Sequence, residues 1–329
     1  MQGDLLCGDI EKSPLPPFKK WGTPCENLTL SCSNLPTHNV LTMFLQHLAN
    51  GVLISGIYAL VATGFTLIFG VLEVVNFAHG EFYMLGAFVL FCFAQQIGLP
   101  YFWAIPLCIG TLLLFGILVE RSAIRPLLQK SFESMVICTF AISMILTNGS
   151  LLIWGAEPRI IHSPLSVPVS IFGIAFTMQR LLVLLVAVAV SVGLHLFLYR
   201  TKLGKAIRAT AQNKDACVAV GIDIAFISKF TFALGIGLCA LAGALVAPIY
   251  SVFPTMGQTT IFKVFAIVIL GGLGNIPGAL LASLILGIGE SLIAGYVSAT
   301  LKDGLAFLLM LFILLLRPQG IFGKAVRTL

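Results

Sequence analysis

Glu73, Asn76, His79 and Glu81 fall together in Gly70-Val-Leu-Glu-Val-Val-Asn-Phe-Ala-His-Gly-Glu-Phe-Tyr-Met-Leu-Gly86, between an apolar run ending at Phe69 and another over 77–97. An imidazole and carboxylates at this spacing can exchange a proton, meet the free amides of a helix start, or hydrogen-bond a small solute. At hydrocarbon depth such groups are costly, so they need partners or a purpose. The stretch is therefore either a loop at a membrane surface or a bent segment lining a solute path.

A comparable layout recurs in Gly271-Gly-Leu-Gly-Asn-Ile-Pro-Gly278, where Asn275 precedes Gly278 much as Asn76 precedes Gly80. The echo suggests an internal repeat with discontinuous helices at a solute site. Close helix packing through Gly274, Gly278 and Gly287 is the other reading, and the two are compatible. Lys263 and Glu290 stand at the edges of apolar runs, which predicts interfacial, snorkelling side chains. Catalytic motifs are missing: Leu203-Gly-Lys-Ala206 and Phe322-Gly-Lys-Ala325 lack a phosphate loop and its hydroxyl, and there is no zinc-protease motif or nucleophile elbow. No cofactor is implied, and the chain is read as a non-enzyme.

Those residues must be held by a membrane scaffold. The chain of 329 residues is 58% hydrophobic and 10% charged, with a mean hydropathy of +1.04. So few charges cannot cover a water-soluble surface, so the expected fold is all-α and polytopic. Apolar runs over 44–69, 77–97, 101–119, 135–154, 181–199 and 230–247 each suffice for a span, 264–294 is interrupted, and 304–316 is short. That makes about eight transmembrane helices, or nine to ten if the broken stretches near 70–86 and 271–278 cross twice. The formal charge of +6 reflects cytoplasmic loops rather than nucleic acid. Cys92, Cys108, Cys138 and Cys239 lie in apolar runs and read as small buried hydrophobes.

Residues 1–39 are polar and proline-broken, without the apolar core of a secretory signal, and read as a tail; Cys25 and Cys32 could link, and Asn27-Leu-Thr29 is a weak glycosylation pattern. Basic residues set the orientation. Arg121, Arg125 and Lys130 mark one cytoplasmic loop, and Arg200, Lys202, Lys205, Arg208 and Lys214 another, two spans later. The loop 155–179 is then external. Arg317, Lys324 and Arg327 also belong inside, which requires an extra crossing at 271–278.

The stretch Arg200-Thr-Lys-Leu-Gly-Lys-Ala-Ile-Arg-Ala-Thr-Ala-Gln-Asn-Lys-Asp-Ala-Cys-Val-Ala-Val-Gly-Ile222 is the longest hydrophilic segment between spans. Lys205, Arg208 and Gln212 share one helical face, Leu203, Ile207 and Ala211 another, and Gly221 supplies a stop. It is either a basic loop that sets topology and touches anionic lipid, or a short helix docking on a cytoplasmic partner.

Taken in order, Gly51-Val-Leu-Ile-Ser-Gly-Ile-Tyr-Ala-Leu60, Val75-Asn-Phe-Ala-His-Gly-Glu-Phe82, Glu120-Arg-Ser-Ala-Ile-Arg-Pro126, Leu203-Gly-Lys-Ala-Ile-Arg-Ala209, the 271–278 motif and Arg317-Pro-Gln-Gly-Ile-Phe-Gly323 resemble the membrane permeases of branched-chain amino acid ABC importers, specifically the H-type subunit. The resemblance covers about 41–324. It implies a permease domain over 40–324, the polar tail before it and a cytoplasmic end at 325–329. It also implies a multi-pass subunit of the bacterial inner membrane, paired as a heterodimer with a second homologous permease, seated on cytoplasmic ATPase subunits and served by an extracytoplasmic solute-binding protein. Gly204, Lys205, Arg208, Asn213, Asp215 and Gly221 would contact the ATPase; Asn76, His79, Gly80, Glu81, Asn275, Pro277 and Gly278 would shape the translocation path or gate. The alternative cargoes are urea and short amides. An ion-coupled secondary transporter is the alternative of a different class.

Overall fold

The computed structural model describes residues 40–321 apart from 129, 163, 164, 166, 172, 173, 318 and 319. The expectations for the polar tail 1–39, for Lys324 and Arg327 and for the end 325–329 lie outside the described residues.

Without water to satisfy backbone groups, apolar runs fold as helices that close their own hydrogen bonds. Eleven α-helices form among the described residues: α1 (Val40–Leu72), α2 (His79–Phe91), α3 (Tyr101–Val119), α4 (Phe132–Trp154), α5 (Met178–Arg200), α6 (Lys202–Thr210), α7 (Lys214–Ala219), α8 (Ile224–Val246), α9 (Met256–Gly271), α10 (Ile276–Tyr296) and α11 (Lys302–Leu316). Among the described residues, six helices (α1, α3 with its continuation to Leu127, α4, α5, α8 and α10) are long and apolar enough to cross a bilayer; α9 is shorter. Among the described residues the fold is all-α apart from one addition, a hairpin of β1 (Pro168–Ile171) and β2 (Ile174–Thr177) in antiparallel register with Pro168 opposite Thr177. It falls in the loop read as external and is held to the start of α1, where Gln46 exchanges two hydrogen bonds with the Ala175 backbone (2.7 and 2.9 Å).

Helix α1 is the axis. It runs antiparallel to α10, since Gly70 meets Gly274 at one end and Ser291 donates to the His47 carbonyl at the other (2.7 Å). It runs parallel to α5, where Arg180 donates to Asn50 (3.3 Å). Helix α8 packs against α1, α2 and α3, and the fully buried Phe65, Phe82, Phe88 and Phe232 fill the space between them. Small residues permit these approaches. A methyl on Gly51 would press on Gly287 and Ile288 of α10, the close packing that apolar surroundings alone cannot drive.

The interrupted run 264–294 resolves into two helices. Gly272 and Gly274 take φ +91° and +77°, a conformation that only glycine adopts without strain, and the chain turns back between α9 and α10. Helix α11 then returns, and the Ile321 amide donates to the Leu270 carbonyl (2.8 Å). Residue 321 therefore lies at the same end as Gly70 and the basic α6–α7 segment. Cys108 and Cys239 are buried, and all five cysteines among the described residues are free thiols.

Candidate functional site

The polar stretch after α1 begins at the surface and then turns into the bundle. Glu73 ends α1 in a left-handed conformation (φ 59°), stays exposed, and pairs with Lys214 of α7 (3.4 Å). The chain then folds inward. The Val75 carbonyl accepts from Thr139 of α4 (3.1 Å), and Asn76 Oδ1 accepts from the Ala78 amide (3.1 Å). Helix α2 begins at His79, whose Nε2–H donates to the Val61 carbonyl (3.0 Å). Val61 lies three turns before the end of α1, about 16 Å along its axis, so α2 starts deep inside the bundle.

Asn76, His79 and Glu81 are 1%, 0% and 0% exposed. Glu81 does not meet the free amides of its own helix start; its Oε1 accepts from Ser143 of α4 (3.1 Å). The His79 ring packs edge-on against Phe65. Among the described residues none of the ion pairs involves either side chain. Gly80 is in contact with α9: a methyl there would fall on the Gly257 carbonyl. These residues hold the bend of α2 against α1, α4, α8 and α9.

At the α9–α10 turn, Asn275 caps α10 by accepting from the Gly278 amide (3.1 Å), and Pro277 stands in the first helical turn, where its missing N–H costs nothing. Gly278 and Gly271 touch backbone to backbone. The two asparagines therefore serve similar local ends, each fixing the start of a helix.

Between α1, the bend, α9 and α11 lies a pocket of about 330 Å³. Its walls are apolar: Phe65, Val75, Phe77, Phe262, Phe265, Ile269, Leu273, Phe307 and Met310. None of the polar residues singled out in the sequence lines it; their neighbours Val75 and Phe77 do, and Phe77 packs at a tilt against Phe265 (5.0 Å between centroids).

The basic segment forms two short helices rather than one, with Gln212 beyond the end of α6. Thr201 caps α6, accepting from the Gly204 amide (3.0 Å), and a methyl on Gly204 would strike the α5 backbone at Phe197 and Leu198. Arg208 is engaged: its Nε donates to the Leu198 carbonyl (3.1 Å) and its guanidinium lies 4.0 Å over the Tyr199 ring. Asn213 caps α7, accepting from Ala216 N (2.9 Å), and Gly221 (φ 81°) ends it. Lys205 and Asp215 are exposed, as are Val218 (62%) and Val220 (75%). Four of the six residues named here thus build the shape, and two project from it.

Sequence reading missed one cluster. Lys263 and Glu290 do not snorkel: Lys263 Nζ lies 3.0 Å from Glu290 Oε1 with their side chains 14% and 4% exposed, and 2.8 Å from Asp303 Oδ1. It also donates to the Tyr58 hydroxyl (3.1 Å), which in turn donates to Glu290 Oε2 (2.6 Å). Helices α1, α9, α10 and α11 meet there. Opposite charges on separate apolar helices were the available signal, and they find each other because each unpaired charge would cost far more.

Comparisons with known proteins follow the same lines. The family model described as the branched-chain amino acid transport system permease component matches residues 47–314. The chain is 33% identical over 297 residues to the high-affinity branched-chain amino acid transport system permease protein BraD of Pseudomonas aeruginosa, covering 85% of this chain and 96% of BraD. It is 32% identical over 295 residues to LivH of Escherichia coli strain K12, with the same coverage, and more distantly, 24% over 300 residues, to LivM of that strain (80% of this chain, 67% of LivM). No solved structure matches the chain. With its helices and most of its length accounted for in this way, the chain is a polytopic membrane protein that belongs to the branched-chain amino acid transport system permease family.

Proposed function

We propose that this protein is the membrane-spanning subunit of an ATP-driven importer of branched-chain or other neutral amino acids, multi-pass in the bacterial inner membrane. Its permease domain comprises 40–324, with 1–39 a separate polar tail and 325–329 a cytoplasmic end. A second homologous permease completes the path, a solute-binding protein delivers cargo from outside, and separate ATPase subunits supply the energy. Helices α9, α10 and α11 each cross, which puts the end of α11 inside with α6 and α7.

The observation that carries this reading is the α6–α7 segment: two short helices between α5 and α8, each with its own side-chain cap, exposing Lys205, Asp215, Val218 and Val220, and tied by Lys214 to the bend at Glu73. Such a polar, protruding lever suits a partner whose rigid-body closure must reach the membrane helices. Asn76, His79, Gly80 and Glu81 shape the path from behind by fixing the bend that presents Val75 and Phe77, and Asn275, Pro277 and Gly278 fix the neighbouring turn. An aromatic pocket favours an aliphatic side chain over urea or a short amide.

The test is co-purification followed by leucine uptake into proteoliposomes. A stable complex with an ATPase and ATP-dependent uptake support the reading; autonomous uptake driven by an ion gradient would refute it. Within that complex, Lys205→Glu is expected to cut coupled uptake by about tenfold or more, because a charge-assisted contact becomes a repulsion. Arg208→Ala instead frees α6 from Tyr199 and Leu198, and is expected to lower the amount of assembled complex. Equal effects of the two substitutions on assembly would contradict this division.

A further inference from the structure

We propose that Lys263 and Asp303, with the Phe262–Phe307 edge of the aromatic pocket, form a transit site for a zwitterionic aliphatic amino acid. This inference rests on the transport reading above and gives it a location.

The charge balance of the cluster is the first observation. Lys263 faces two carboxylates, so one negative charge is in surplus. Glu290 and the Tyr58 hydroxyl take two of the three protons of the buried ammonium, and Asp303 takes the third. Asp303 is 60% exposed, and an ion pair open to water adds little stability. It is the exposed partner of the three, and so the one that an incoming carboxylate can replace on Lys263.

Position is the second observation. Phe262 directly precedes Lys263 on α9, and Phe307 lies one turn beyond Asp303 on α11. Their rings touch (5.8 Å between centroids), and both line the pocket. The ionic cluster therefore stands about 6 Å, one helical turn, from apolar walls. That spacing matches a molecule with a charged head and a short aliphatic tail. A volume of about 330 Å³ falls at the lower end of small-molecule sites, roughly 300–1,000 Å³. From this end the apolar lining of the pocket runs along Phe265 to Phe77 at the bend.

The chemistry is an exchange of partners. The incoming carboxylate takes the place of Asp303 on Lys263, and the released Asp303 carboxylate receives the incoming ammonium. One ion pair opens and two form, in an alternating ring of charges, with no charge left bare at any stage. Because the resting cluster is self-satisfied, it does not trap cargo tightly, as a transit site requires.

The experiment uses the co-purified assembly in proteoliposomes and a diazirine analogue of leucine, with photolabelled residues mapped by mass spectrometry. Label is expected on the α9 and α11 segments around Phe262, Phe307 and Met310, competed by excess leucine. Asp303→Asn leaves the buried Lys263–Glu290 pair in place, and is expected to reduce this label about tenfold at equal assembly yield, as befits the loss of one charge-assisted hydrogen bond. Phe307→Trp should narrow the pocket and reduce leucine uptake more than alanine uptake, whereas a purely structural role would lower both alike. If the wild-type assembly takes up the analogue but the label lies elsewhere, or Asp303→Asn labels as well as wild type, the site is wrong and the transport reading stands. If the wild-type assembly takes up neither leucine nor its analogue, both fall.

Discussion

Replacing Lys263 with methionine is expected to destabilise the folded protein by about 3–5 kcal/mol, the cost of leaving a buried charge without its partner. Glu290 is 4% exposed, has Lys263 at 3.0 Å, and cannot turn to water without opening the contact of α10 with α1 and α9. In a detergent-purified sample the unfolding midpoint should fall on the order of 10 °C. The paired substitution Lys263→Met with Glu290→Gln should recover most of that loss, because the neutral amide still accepts from Tyr58 and the one charge left unpaired, Asp303, is open to water. A single substitution as stable as the wild type would show that Glu290 is solvated, contrary to its placement here. Asp303→Asn, at the exposed member of the cluster, should shift the midpoint little.

The second large effect is expected at Gly80. An added methyl would meet the Gly257 carbonyl and the Ile261 side chain, so α2 and α9 would have to part at the depth where the bend is fixed. Gly80→Ala should cost about 1–3 kcal/mol by overpacking, and Gly80→Leu should prevent folded protein from accumulating in the membrane fraction. Gly257→Ala breaks the same contact, since its own methyl would press on Gly80 and the Glu81 carboxylate. The double alanine variant should therefore cost less than the sum of the two, as coupled neighbours do. Strict additivity would place the residues out of contact.

The spans were readable because apolar length alone dictates a helix in a bilayer. The division at 271–278 was readable too, since glycines and a proline after an asparagine cannot continue a helix. The bend was harder. Composition could say that Asn76, His79 and Glu81 were costly, but not that their partners would be Ala78, Val61 and Ser143 rather than a solute. Those partners come from the same turn in one case and from other helices in the rest. The same limit hid the Lys263 cluster. Each charge stood at the edge of its own run, where snorkelling is the ordinary solution, and only the packing of α9 between α10 and α11 makes a pair the better one. Arg208 resembled its neighbour Lys205 in the sequence, yet Tyr199 at the end of α5 claims it. Periodicity describes which side of a helix a residue occupies; it does not describe what the next helix offers.

The contact between Glu73 and Lys214 has a further meaning. Both side chains are partly exposed, so making or breaking it changes the energy by at most about 1 kcal/mol. It cannot lock anything. What it can do is report, because one side belongs to the protruding pair of short helices and the other is the last residue before the chain dives to Asn76. A displacement of α7 by a few ångströms would be felt at the hinge of α2 through a handful of bonds, without passing through the bulk of the bundle. A tight clasp there would resist such a stroke; a weak one lets the two parts re-register at each cycle at little thermodynamic expense.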